Sequence, residues 1–233
     1  MVDPVAGNIV NIRVIGTGDS PEIRLGDGMG ECAVRLGSEA GAERKHAHVV
    51  QVLRAGREAL RYKQVHVLRT RGGVVPGDLP PPVFSDGLVL WGLQIGEDMW
   101  FPEGARSLAV RGALGIVHFA AVCRRCPTNR QPEPLSEDEM WILALRARAY
   151  ENTVFVVTVS GGGLGLPVGK VWDPAGFPVE PRARRDGEVA FAVDLGLIDR
   201  ERCRRRYLDA RRPEFYGLLL QQEGKTIHGE RLG

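Results

Sequence analysis

A chain of 233 residues with 43% hydrophobic content can bury one well-packed domain and hardly two. A net charge of +2 creates no electrostatic demand for nucleic acid or an anionic membrane. Four cysteines in a chain this long do not make a disulfide framework. Only four of the 31 basic residues are lysines, which reads as coding bias rather than a binding surface.

The N-terminus lacks the basic-then-apolar layout of a signal peptide. The longest apolar run, Leu114 to Cys123, is broken by His118 and falls short of the ~20 residues a membrane span needs. A cytoplasmic, soluble protein is the expectation.

In chain order, Asn8 to Ile15 fits a strand and "SPEIRLGDGMGE" is Gly-rich and loop-like. Glu43 to Tyr62 fits either one helix, with Val49, Leu53 and Leu60 on a shared face, or a short strand and a turn. "VHVL" from Val65 reads as a short strand. "VFSDGLVLWGLQI" reads as a hairpin turning at Asp86-Gly87, with a second arm apolar enough to be covered on both faces. A sharp corner follows, then a helix from Pro102 with Glu103 in its first turn, Leu108 and Ala109 inward, and Gly112 at its end.

"LGIVHFAAV" is a further buried strand. Ser136 and Glu139 have capping-box spacing, opening a helix whose repeat places Met140, Leu143, Ala144 and Ala147 on one face. "NTVFVVTV" is a strand, "VGKVWDPAGFPVE" a hairpin turning at Asp173 to Gly176, and "EVAFAV" one more strand before an arginine-rich tail. A β–α–β–α–β alternation followed by strands predicts an α/β sandwich with a mixed sheet and outer helices.

With the elements in place, five motifs in order resemble the nitrilase superfamily, the carbon–nitrogen hydrolases. "LQIGEDMWFPEGARSLAVRGA" is similar to the family's strand, Cys–x–Asp–x–x–Phe–Pro–Glu–x–x–Arg corner and following Gly-Ala. "LRARAYENTVFVVTVSGGG" resembles its Arg–Ala–x–Glu–Asn motif. "VGKVWDPAGFPVE" resembles its Asp-Pro-x-Gly hairpin, and "RRPEFY" its tail. "YKQVHVL" and "PGDLPPPVFSDG" resemble the lysine-bearing segment and the approach to the corner.

The resemblance spans Tyr62 to Tyr216. It divides the chain into a divergent, shortened segment (1–61), a nitrilase-like domain (62–216) and a tail (217–233). It implies an αββα sandwich that usually assembles at least as a dimer; separately, the shortened first segment leaves room for the chain to be completed by an intact homologue. The resemblance also implies attack on an amide or nitrile carbon by cysteine, helped by a glutamate base and a lysine.

Residue by residue, that chemistry does not carry over. Gly96 stands at the cysteine's place, and a glycine has no atom with which to form a thioester. Gln64 stands at the lysine's place, and a neutral amide supplies no charge to an oxyanion. Lys63 is adjacent, but neighbouring strand residues face opposite ways. Pro21-Glu22 is the only N-terminal Pro-Glu, and it lacks the preceding apolar strand of a base.

The residues matching the scaffold are Asp98, Phe101, Pro102, Glu103, Arg106, Arg148, Glu151 and Asn152. The expectation is a degenerate member whose pocket is formed by Lys63, Gln64, Gly96, Glu97, Trp100 and Cys123, with the Glu97 backbone N–H aimed into a vestigial oxyanion site. The alternative is an active hydrolase using a relocated thiol, Cys123 or Cys126: the strand ending at Cys123 is expected beside the corner strand, and Arg124 and Arg125 would lower the Cys123 pKa.

Glu97 activating water directly is a weaker reading. Cys123 and Cys126 without a second ligand pair do not define zinc; His46 and His48 would diverge on a helix and share a face on a strand, and read as a solvated pair. Arg200 to Arg212 is interleaved with acids and reads as a solvated or packing segment. No metal, cofactor, nucleic acid or membrane is expected.

Overall fold

The computed structural model describes residues 9–16, 21–26, 32–40, 46–67, 73–120, 137–160, 168–185 and 187–220. Period-two burial builds its first sheet. In β1 (Ile9–Ile15), Val10, Ile12 and Val14 point inward while Asn11 and Arg13 point out. β2 (Glu22–Leu25), β3 (Cys32–Ala40), β4 (His46–Arg54) and β5 (Arg57–Lys63) follow by antiparallel pairing.

The second sheet comes from the middle of the chain. It contains β6 (Val83–Ser85), β7 (Leu90–Ile95), β8 (Gly115–Ala120), β9 (Phe155–Ser160), β10 (Gly169–Trp172) and β11 (Pro178–Val179). β12 (Ala183–Arg185) and β13 (Glu188–Asp194) return to the first sheet. The sheets run β12-β13-β1-β2-β3-β4-β5 and β11-β10-β9-β8-β7-β6. The first is wholly antiparallel, whereas β7, β8 and β9 are parallel.

Parallel neighbours need crossovers. α1 (Pro102–Val110) links β7 to β8 and α2 (Glu137–Asn152) links β8 to β9; α3 (Gly196–Arg205) follows the last strand. Two cores result. Between the sheets, Val10, Ile12, Val14, Ile23, Val50 and Val52 meet Leu93, Ile95, Val117, Phe119 and Val157. On the other face of the second sheet, Ile116 and Val156 pack with Leu108 of α1 and Trp141 and Leu145 of α2. Alternate residues of β8 and β9 therefore serve different cores, which explains their near-continuous hydrophobicity.

Several sequence expectations change. Glu43 to Tyr62 yields no helix: its described part is the β4–β5 hairpin, turning at Ala55 (φ 46°) and Gly56 (φ 74°). Two consecutive positive φ values make a primed turn, which alanine in place of Asn or Asp disguises in the sequence. Glu22–Leu25 is a strand rather than a loop, and β3 and β12 are further strands the reading lacked.

Val65 to Val67 join no ladder. The backbone N–H groups of Val65 and His66 donate instead to the Asp98 carboxylate, which replaces a partner strand. On α2 the buried residues are Trp141, Leu145, Arg148, Ala149 and Asn152, whereas Met140 and Leu143 are exposed. The indole of Trp141 fixes the face, and Arg148 and Asn152 can be buried because each finds partners. Ser136 and the capping box it would form lie outside the described residues.

The readings of the β6–β7 turn and of α1 stand. The β6–β7 turn is held by Asp86, whose Oδ1 accepts from Leu88 and Val89 N–H and whose Oδ2 accepts from the Trp91 indole. α1 starts at Pro102, and Gly112 past its end adopts φ 93°. Gly92 sets the spacing of α1 on β7: a Cβ there would lie 2.7 Å from Leu108 Cδ1 and 3.0 Å from Leu108 Cβ. The Leu108 stem cannot swing aside, so Gly92→Ala is expected to cost about 1–3 kcal/mol, read as a lowered urea midpoint.

Candidate functional site

The corner after β7 is a short 3-10 turn, Gly96–Trp100. Gly96 adopts φ 52°, a left-handed conformation that glycine takes without steric cost. Two residues on, Asp98 is fully buried and organises everything around it. Its Oδ2 accepts from Ile95 N–H (3.1 Å), the acidic half of a capping box, and from the Tyr62 hydroxyl (2.7 Å). Its Oδ1 accepts from Val65 N–H (3.1 Å), His66 N–H (2.8 Å) and His66 Nδ1 (2.9 Å).

One carboxylate thus joins the corner to the end of β5. Burial pushes the Tyr62 phenol far above its ordinary pKa, and the Asp98 charge adds to this, so Tyr62 remains the donor. The His66 ring stacks on Phe101 at 3.9 Å between centroids.

Below the corner lies His118 of β8, fully buried. Its Nε2 is 3.0 Å from the Gly96 carbonyl, and since a carbonyl only accepts, Nε2 carries the proton. Nδ1 then accepts from the Thr158 hydroxyl at 3.1 Å. Burial pulls the His118 pKa down to about 4, so the ring is neutral at ordinary pH.

The far end of the 3-10 turn is closed by Arg148. It donates through Nε to Met99 O (2.9 Å) and through Nη2 to Trp100 O (3.3 Å), carbonyls left over at a helix end. Its Nη1 bonds Glu151 Oε1 at 2.8 Å, and Asn152 Nδ2 donates to Arg148 O at 2.9 Å. Burial also lowers the Arg106 pKa, while the Glu151 charge opposes that shift.

Lys63 and Gln64, both expected to line the pocket, face opposite ways. Gln64 is buried, with its Oε1 2.7 Å from His48 Nδ1 and its Nε2 donating to His66 O at 2.7 Å. Lys63 faces the other way, with Nζ 3.0 Å from Glu39 Oε2 on the exposed side. Glu97 is half-buried on the corner turn, and Trp100 packs on Trp141 at 5.1 Å. Cys123 and Cys126 lie outside the described residues.

Glu22 is not at the corner. Ile23 and Leu25 take the core face of β2, so Glu22 occupies the opposite one, bonded to Arg24 at 2.6 Å and to Arg35. Burial raises its pKa, but the hydrogen bonds to Arg35 and Arg24 outweigh that and hold it below the usual carboxylate range. Among the described residues no group of three or more His, Cys, Asp or Glu is arranged to hold a metal. No helix among them is long and apolar enough to cross a membrane.

The carbon–nitrogen hydrolase profile matches residues 26–177. The chain belongs to the carbon–nitrogen hydrolase family. A nitrilase of Pyrococcus abyssi is 31% identical over 149 residues, covering 61% of this chain and 52% of that protein. A probable nitrilase of Schizosaccharomyces pombe is 28% identical over 168 residues, covering 68% of this chain and 57% of that protein. This family member thus spans little more than half the length of these relatives.

Its fold is that of solved family structures. A carbon–nitrogen hydrolase from Helicobacter pylori superposes with a TM-score of 0.64 at 20% identity, covering 81% of this chain and 70% of that one. A mutant of a Nesterenkonia amidase from the nitrilase superfamily superposes at 0.57 and 25% identity, covering 79% and 67%. The family match begins at residue 26, inside the segment that reads as divergent.

Sequence reasoning noticed His118 only as an interruption of an apolar run, and missed the Tyr62–Asp98 link and the His48–Gln64 pair. A single polar residue inside an otherwise apolar strand was the available signal for His118, because such a group is buried only with partners. Nothing local signalled the other two.

Proposed function

We propose that this chain keeps the carbon–nitrogen hydrolase architecture without its hydrolytic chemistry and acts as a ligand-binding or partner subunit. The observation that carries this reading is Gly96: the residue at the strand-to-helix corner presents a backbone bend and no nucleophile. Gln64, buried and tied to His48 and His66, adds no charge. Two residues that match the family's scaffold hold the corner: Asp98 accepts from five donors, and Arg148 closes the turn. Cys32 is buried with its pKa raised to about 11 by burial, and Cys203 sits exposed on α3, so neither supports a thiolate at the corner.

Assembly with a second copy or an intact homologue fits the exposed Phe215, Leu218, Leu219 and Leu220, an apolar run that a partner would cover. The test is to assay the purified chain on amides, nitriles and glutamine. No rate above the uncatalysed background is expected. Turnover that disappears when Cys123 is alkylated would replace this reading with the relocated-thiol hydrolase, and turnover that survives alkylation of every thiol would overturn both.

A further inference from the structure

The residue at position 64 is neutral, yet the end of the sandwich where it sits is not without a source of charge. β4 is a strand, so His46 and His48 share a face with Val50 and Val52, whose side chains belong to the core between the sheets. The two imidazoles therefore share that inner face at the start of β4, with ring centroids 5.6 Å apart, and both are half-buried. Their neighbour Gln64 continues that face, its backbone N–H bonded to His48 O at 3.0 Å.

The side-chain bonds fix the chemistry. Gln64 Nε2 donates to His66 O, so Gln64 Oε1 faces His48 and accepts from Nδ1–H at 2.7 Å. His48 is thereby held in the Nδ1–H tautomer, with Nε2 left as the position for a second proton. Once protonated, Nε2–H is a charged donor on a ring whose orientation is already set. A lysine at position 64 would place a cation where Gln64 now places an acceptor. The two residues make sense as a pair.

We propose that His48, positioned by Gln64 and flanked by His46, is the cationic group of a binding site for a small carboxylate at this end of the sandwich, occupied when His48 is protonated. The site rests on the ligand-binding reading above and assigns its ligand class. The surrounding ionisable groups leave this role to the imidazoles. On the same strand stands His46. His66 is turned to Asp98, and the Asp98 carboxylate is fully buried beneath five donors. Lys63 and Glu39 pair with each other on the opposite face, and Ser38 is the neutral partner of His48 in the β3–β4 register. Glu97, half-buried on the corner turn, is the carboxylate next along the chain from Gly96. A singly charged carboxylate suits one or two imidazolium donors.

The experiment uses the whole chain, with acetate and propionate as probes and inorganic phosphate as a comparison. Calorimetric titration at pH 5.5 and 8.0 should show carboxylate binding at least tenfold tighter at the lower pH. In an NMR titration, a saturating carboxylate should raise the His48 titration midpoint by about one pH unit, the equivalent of that tenfold preference. His48→Asn keeps a donor toward Gln64 and should abolish the pH dependence. The wild-type NMR midpoint remains decisive if that variant does not fold.

The proposal is overturned if neither carboxylate binds at pH 5.5, if His48→Asn binds with unchanged pH dependence, or if phosphate binds and carboxylates do not. Amide turnover accompanied by His48-dependent carboxylate binding would defeat the non-hydrolytic reading and leave this site standing. Absence of both turnover and carboxylate binding would do the reverse.

Discussion

Replacing Asp98 with alanine is expected to destabilise the fold by about 4 kcal/mol, seen as a large fall in the urea midpoint. The carboxylate is fully buried, and its loss strands donors from three places at once: the end of β7, the Tyr62 hydroxyl of β5, and the Val65–His66 backbone. A hydrogen bond to a charged group contributes about 1.5–3 kcal/mol, and each buried donor left unmade adds a desolvation cost. Asp98→Asn should cost less, about 2 kcal/mol. Its oxygen can keep the Val65 and His66 bonds, and the Tyr62 hydroxyl can rotate to accept from the new amide. Only the Ile95 N–H is left facing a second donor. If the two variants were equally stable to within about 0.5 kcal/mol, Asp98 would not be the joint between the sheets described here.

The second large effect is acid sensitivity centred on His118. Its folded pKa is about 4, below the ordinary imidazole value of 6.5. Between those values the unfolded chain binds a proton that the folded chain refuses, so stability falls as pH drops through that window. The contribution is fully present above pH 6.5 and levels off below about 4. A shift of this size corresponds to roughly 3 kcal/mol. Glu22 acts lower down: its depressed folded pKa gives stability that is lost only as pH falls below the usual carboxylate value of 4.5. His118→Asn, neutral throughout, should flatten the dependence between pH 6.5 and 4 relative to wild type, whatever its effect on absolute stability. Parallel pH profiles for the two proteins would show that His118 does not carry the acid response.

Both effects belong to the corner, and they explain why the corner persists around a residue with no side chain. Asp98 and Arg148 fix the two ends of the 3-10 turn, and His118 holds the Gly96 carbonyl from below. None of these contacts requires a side chain at position 96.

The chain's local chemistry determined the second sheet and its crossovers. Leu90–Ile95, Gly115–Ala120 and Phe155–Ser160 are short apolar runs bounded by clear turn and cap signals, such as Asp86-Gly87, Pro102 and Gly112. The parallel β–α–β arrangement and the family follow from those segments, as does the identity of residues 64 and 96. These features are carried by neighbours in sequence, so they can be read without coordinates.

Tertiary structure alone decided the rest. The β4–β5 hairpin hides its turn in an Ala-Gly pair. The buried face of α2 is chosen by where Trp141 finds room. Val65 and His66 forgo a strand because a carboxylate more than thirty residues away accepts their N–H groups. His48 meets Gln64 only because two strands lie side by side. The last two outcomes depend on a polar group finding a partner distant in the chain, and the burial that makes such a partner necessary exists only once the sheets have packed.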